Sequence, residues 1–215
     1  VATVADLDIT VAGAAAEPFA VVPTLSLDLR VTDDGGLPIQ ALALRAQVRI
    51  EPQRRRYSSA ESERLVEIFG QPSQWGESLR PFLWTQVATV VGAFRGTSEI
   101  ELPLPCTYDF EVSAARYLHG LDEGVIPLVL MFTGTIFRTG PRGLLVEPVS
   151  WHTESRYQLP VSVWRDVMNR YFPGGGWLRL PRETIDALGR FKASEALPTW
   201  EQAIELLLAR AEVKP

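Results

Sequence analysis

Residues 103–137 read PLPCTYDFEVSAARYLHGLDEGVIPLVLMFTGTIF, and the order of elements within them decides the fold. Phe110, Ala114, Tyr117, Leu118 and Leu121 recur at the spacing of one helical face, so a central helix is expected over 108–121. Gly124 suits the left-handed position after a helix. Val125–Phe137 then reads as a strand, and its part Val125–Phe132 is apolar on both sides. Ile126, Leu128, Leu130 and Phe132 lie on one side, and Val125, Val129 and Met131 on the other. Either the C-terminal helices or another protein would cover its second face.

Upstream, Leu25, Leu27, Leu29 and Val31 alternate with polar residues, as do Leu42, Leu44, Ala46, Val48 and Ile50. Asp33-Asp34-Gly35-Gly36 lies between them, so the pattern predicts a hairpin with one buried and one wet face. Ser58 and Glu61 form a capping box that opens a short helix over 59–69. Phe82–Val91 and Glu99–Leu104 read as further strands. Pro103 and Pro105 remove backbone donors and put the second of these at an edge. Thr139–Gly143 reads as a hairpin turn into Leu144–Trp151, where Pro148 again marks an edge or a bulge. Helical patterns follow over 160–172, 181–193 and from the Thr199 cap onward. The fold class is therefore α+β: an antiparallel sheet or sandwich of about six to eight strands. Residues 1–159 carry the sheet, the inserted helix 59–69 and the central helix 108–121, and residues 160–215 form a helical segment expected to pack on the same domain.

Composition narrows the chemistry. A net charge of −5 over 215 residues opposes nonspecific nucleic-acid binding, which needs a basic face. One cysteine excludes an internal disulfide and a multi-cysteine metal site, and a lone thiol fits a reducing compartment. No basic leader and no apolar run of about 20 residues is read, so no membrane insertion is expected and the location is read as cytoplasmic. His119 and His152 belong to no metal-ligand spacing, and Gly174-Gly175-Gly176 follows a helix where a phosphate loop would follow a strand. No catalytic residue, metal or cofactor is therefore assigned. Cys106 with His119 is kept as the alternative, a thiol-dependent enzyme. The binding candidates are Trp75 in a polar loop, Trp177 after the glycines, and the run Arg54, Arg55 and Arg56 as an electrostatic steer.

Four segments carry a resemblance: RIEPQRRRYSSAESERLVEIFG (49–70), LRPFLWT (79–85), the central stretch, and LRLPRETIDALGRFKASEALPTWEQAIELLL (178–208). Together they are similar to an uncharacterised actinobacterial family found near nickel–iron hydrogenase genes. The resemblance runs from about Leu25 to Leu208 and supplies no catalytic residues. It implies a non-enzymatic accessory that assists hydrogenase assembly or maturation, with a hydrogenase subunit or another protein as partner; the alternative is a permanent auxiliary subunit. A homo-oligomer is left open. At the level of fold, Cys106, Phe110, Ala115-Arg116, Gly124, Pro127 and Leu128 resemble the strand-to-helix segment of the export chaperone SecB, which implies a chaperone-like apolar surface.

Overall fold

The two alternating runs at residues 25–50 become strands with one buried face each, but they lie in different sheets. The structure, a computed structural model, describes residues 7–106, 113–141, 143–174 and 178–211. Strands β1 (Leu7–Ala16), β2 (Thr24–Asp33) and β5 (Thr97–Pro105) form an antiparallel sheet in the order β1-β2-β5. Strands β3 (Ile39–Ile50), β4 (Phe82–Val91), β6 (Val125–Gly140) and β7 (Gly143–Pro148) form the second, in the order β4-β3-β6-β7. β8 (Glu154–Pro160) pairs with the first half of β6. With helices α1 (Ser59–Phe69), α2 (Trp75–Ser78), α3 (Ser113–His119), α4 (Val161–Tyr171), α5 (Arg182–Ser194) and α6 (Trp200–Arg210), this is the expected α+β class with antiparallel sheets.

The expected hairpin at Asp33–Gly36 is instead a crossover between sheets. Both edges of β2 are occupied, by β1 and β5, and both edges of β3, by β4 and β6. Alternation told which face of each strand is buried, but it could not tell which neighbour each strand takes.

Register sets the core. Leu42, Ala46, Val48 and Ile50 of β3 stand opposite Ile136, Phe132, Leu130 and Leu128 of β6. Leu25 and Leu27 stand opposite Leu104 and Leu102. All of these are buried and belong to one hydrophobic cluster that joins the inner faces of the two sheets. Each of these side chains except the small Ala46 contributes about 1.5–3 kcal/mol relative to exposure. Gly134 lies opposite Leu44, and a Cβ there would stand 2.2 Å from the Ala43 carbonyl oxygen, so only glycine permits that approach of β6 to β3.

Helices cover the end of the sandwich where β3 stops and β6 starts. Tyr117 of α3 meets Phe69 of α1 and Phe82 of β4 edge-on, at ring centroid distances of 5.9 and 5.6 Å. The first residues of the predicted central helix, 108–112, lie outside the described residues. α4 packs on β1, β2 and β8 through Val161, Trp164, Val167 and Met168. The chain divides into two compact units, Val1–Gly176 and Trp177–Pro215. The first contains both sheets and α4. In the second, α5 and α6 pack together, and the Thr199 hydroxyl caps α6 by accepting the Gln202 N–H.

A charged clasp closes the other end of the sandwich. Arg138 of β6 is buried, and its Nη1 and Nη2 donate to the two carboxylate oxygens of Asp33 at 2.7 and 2.6 Å. Its Nε donates to Glu147 of β7 at 2.8 Å, and Nη1 also reaches the Leu37 carbonyl. The crossover after β2 is thereby wrapped around one guanidinium. The Arg138 hydrogen bonds hold the Asp33 carboxyl below the usual range, and they hold the guanidinium charged.

Arg138→Met should lower unfolding stability by about 3–5 kcal/mol at neutral pH, because two buried carboxylates lose their counter-charge. A depressed Asp33 pKa means that the stabilisation is present above the unfolded value and is lost as pH falls through the folded value. The gap between wild type and variant, measured by urea unfolding across pH 7 to 3, should therefore narrow toward acid, from about the unfolded aspartate value of 3.9 downward.

Candidate functional site

The basic run after β3 is mostly internal wiring. Arg55 carries a buried side chain whose Nη2 donates to Glu61 at 2.6 Å, while its other bonds go to the Arg56, Glu123 and Val125 carbonyls. Glu61 is the N3 residue of the α1 capping box. Its Oε2 accepts the Ser58 N–H, and its Oε1 also accepts the Asp122 N–H. Burial would raise the Glu61 carboxyl, but the Ser58 and Asp122 N–H groups and the Arg55 charge outweigh it and hold it low. Arg55 and Glu61 together tie α1 to the turn that launches β6. Arg54 and Arg56 are exposed, and Arg54 pairs with Glu51 at 3.2 Å.

Trp75 is half-buried. Its Nε1 donates to the Gly70 carbonyl at 2.9 Å, and its ring meets Tyr57 edge-on at 5.1 Å. The Tyr57 hydroxyl donates to Pro52 and lies 2.9 Å from that of Tyr117, and burial pushes its pKa up to about 12. Trp177 lies outside the described residues. The structure thus gathers Trp75, Arg55 and Tyr57 at one end of the sandwich as packed, bonded groups, with Arg54, paired to Glu51, and Arg56 exposed beside them.

Cys106 is buried at the end of β5, with its thiol 3.4 Å from the Leu104 carbonyl. Desolvation pushes that thiol up to about 12, so it holds its proton at neutral pH. His119 stands edge-on to Trp164 at 5.3 Å, and burial lowers its pKa. Among the described residues, no three His, Cys, Asp or Glu side chains converge as metal ligands.

Sequence reading asked what covers the second face of β6, but it did not single out Val90, Leu144 or Val146 on the outer face of the five-stranded sheet. Odd-numbered residues of β6 point outward there, and Phe137 has Val146 of β7 on one side and Ala41 of β3 on the other. In the next row Thr135 has Pro148 on one side and Ala43 on the other, and Ala43 faces Val90 of β4. Val90 is 72 % exposed, Leu144 70 % and Val146 51 %. Small Ala41 and Ala43 between them leave a flat apolar strip across four strands, ending at Arg45. A shallow depression of about 460 Å³ opens beside it, lined by Ala43, Ala88, Val90 and Thr133 among others. Trp151, in the connection between β7 and β8, is 79 % exposed and stacks on His152 with ring centroids 3.4 Å apart. The signal was present in Leu144-Leu145-Val146. Its exposure depends on β7 being an edge strand with an uncovered face, which only the pairing order reveals.

A second apolar protrusion is the β1–β2 tip, where Phe19 and Val21 are almost fully exposed. Its base is fixed by the Glu17 N–H to the Thr24 carbonyl and by the Tyr171 hydroxyl to the Ala20 carbonyl. No described helix is long and apolar enough to cross a membrane.

A family model described as a family of unknown function, DUF6084, matches residues 4–215. No curated protein matches the sequence. Among solved structures, a putative late embryogenesis abundant protein is 15 % identical, with 72 % of this chain and 71 % of that one covered and a TM-score of 0.33. A CARDB domain from Pyrococcus furiosus, solved in complex with di-metal ions, is 9 % identical, with 73 % and 93 % covered and a TM-score of 0.27. A β-glucosidase from Kluyveromyces marxianus in complex with glucose is 10 % identical, with 72 % of this chain but 15 % of that one covered and a TM-score of 0.26. These similarities are weak and assign no role to this chain.

Arg55→Gln should destabilise the chain by about 3–5 kcal/mol, because it leaves the Glu61 carboxylate buried without its partner. Arg54→Gln and Arg56→Gln should each stay within about 0.5 kcal/mol of wild type, as exposed substitutions do. Denaturant midpoints of the three variants check this. Equal effects would mean that Arg55 has no special structural place.

Proposed function

We propose, for a chain that belongs to the DUF6084 family, a non-enzymatic role: a protein-binding module whose outer sheet face receives a partner. The observation that carries this reading is the apolar strip of exposed Val90, Leu144 and Val146 with half-buried Phe137 among them, which no described element of the unit that holds both sheets covers. Those side chains add little to the fold where they stand. Large exposed apolar residues that form one continuous surface favour association. The buried, protonated Cys106 thiol weighs against the thiol-enzyme alternative.

The partner class rests on the resemblance described from the sequence. It points to a subunit of a nickel–iron hydrogenase undergoing assembly or maturation, with the chain acting as an accessory. Arg54 and Arg56, exposed at one end of the sandwich, would steer an acidic approach without adding much affinity.

Affinity capture of the tagged protein from its native host tests this. Extracts of cells with active hydrogenase should be compared with extracts of cells in which large-subunit processing is blocked. An accessory should recover the unprocessed subunit from blocked cells only. Val90→Glu, on the strip but exposed enough to spare the fold, should cut recovery about tenfold or more. Equal recovery with the finished enzyme would instead make the chain an auxiliary subunit. No hydrogenase peptide in either extract would reject the partner, and capture unaffected by Val90→Glu would reject the surface.

A further inference from the structure

β7 is the last strand of its sheet, and among the described residues nothing pairs with its outer edge. The direction of its backbone groups follows from one bond. The Val149 N–H donates to the Gly134 carbonyl at 3.0 Å, in the same ladder that pairs Thr135 with Pro148 and Thr139 with Leu144. Bonded and non-bonded pairs alternate along an antiparallel ladder. Gly143, Leu145, Glu147 and Val149 therefore point their N–H and C=O groups at β6, and Leu144, Val146 and Pro148 point theirs away.

Natural edge strands are blunted by charge, proline or a bulge. β5 shows this: the Cys106 N–H bonds the Pro23 carbonyl, so the same alternation directs Pro103 and Pro105 outward, where their missing donors guard the edge. On β7 only the terminal Pro148 does so. Leu144 and Val146 offer free donors and acceptors and carry exposed apolar side chains.

We propose that this edge pairs with a second copy of itself, antiparallel about a two-fold axis through Leu145, joining the five-stranded sheets of two chains. In that register Leu144 of each copy faces Val146 of the other, and each such pair exchanges both of its backbone hydrogen bonds. Pro148 falls beyond the paired residues. Shifting the register so that Leu144 meets Pro148 loses a bond at each end, because proline has no N–H to give. Leu145, partly exposed on the inner side, meets its own copy across the axis. Leu144 and Val146 shield one another on the outer side, and the apolar strip runs on from one chain into the next. This self-pairing shares Leu144 and Val146 with the strip proposed above, but it rests on the free backbone groups of the edge and needs no other partner.

The test uses the full chain and two charge-reversed versions. Leu144→Lys/Val146→Lys places like charges opposite each other in the self-pair, and Leu144→Glu/Val146→Glu does the same with acids. Both positions are exposed, so each version should fold, as circular dichroism will show. By sedimentation equilibrium and native mass spectrometry, the wild type should form a concentration-dependent dimer. Each version alone should be monomeric, and an equimolar mixture should form the mixed dimer. Hydrogen exchange at the Leu144 and Val146 amides should slow with wild-type concentration. A wild type that stays monomeric would overturn the proposal, as would versions that dimerise unmixed or a mixture that stays monomeric. Val90→Glu, on the opposite edge strand, should leave this dimer intact, so loss of partner capture and loss of self-pairing are read separately.

Discussion

Every second side chain of β6, from Ile126 through Leu128, Leu130 and Phe132 to Ile136, lies in the core, and this alternation fixes what its neighbours can do. β3 must present Leu42, Ala46, Val48 and Ile50 in the matching register, because a slip of one residue would turn all of them to solvent. The same parity carries Arg138 inward. A guanidinium placed there must be compensated, and Asp33 and Glu147 supply the opposite charges from β2 and β7. The crossover between the sheets and the β6–β7 hairpin thus end on the same group. Opposite parity sends Met131, Thr133, Thr135 and Phe137 outward and so creates the face that no described helix of that unit covers.

Much of this was legible in the residues. Period-two alternation located the strands and their buried faces. Ser58 and Glu61 announced the start of α1, and the prolines of β5 and β7 announced edges. Pairing was not legible: Asp33–Gly36 has the composition of a hairpin turn, and nothing local says that it crosses between sheets. A bulge had the same effect on β4. Arg49 pairs with Leu83 while Val48 pairs with Thr85, so Trp84 is the extra residue and Leu83 changes face. Unbroken alternation would set Leu83 on the face of Thr85 and Val87, whereas the bulge leaves it exposed on the other side.

Charge was the least legible property. Three consecutive arginines suggested a surface cluster, yet the middle one is buried and the outer two are not. The difference comes from geometry that assembles only in the fold. The turn before β6 brings the carbonyls of Glu123 and Val125 and the N–H of Asp122 to the start of α1, more than sixty residues earlier in the chain. Arg138 stands alone in an apolar run and carries no such composition signal, although it is the more deeply bonded of the two. In both places an arginine is held by carboxylate and backbone carbonyl oxygens together: Arg55 by Glu61 and carbonyls, Arg138 by Asp33, Glu147 and the Leu37 carbonyl. Planar donors in a fixed fork satisfy such mixed acceptors better than an ammonium could.

The outer strip is of a different kind from these buried networks. Removing Arg138 or Arg55 leaves charges stranded in the interior, so those residues are explained by the fold that contains them. Val90, Leu144 and Val146 are not explained in this way, since polar side chains could stand in their places at little cost to the core. β-branched residues suit a strand on any face, which accounts for the two valines but not for Leu144 at 70 % exposure on an edge. Edge strands tend to be selected against this combination of free backbone groups and apolar side chains, because it invites pairing. β5, in the same molecule, is guarded by two outward prolines and by Glu99 and Glu101. A chain that guards one edge and leaves another apolar and open has, on physical grounds, a use for the open one.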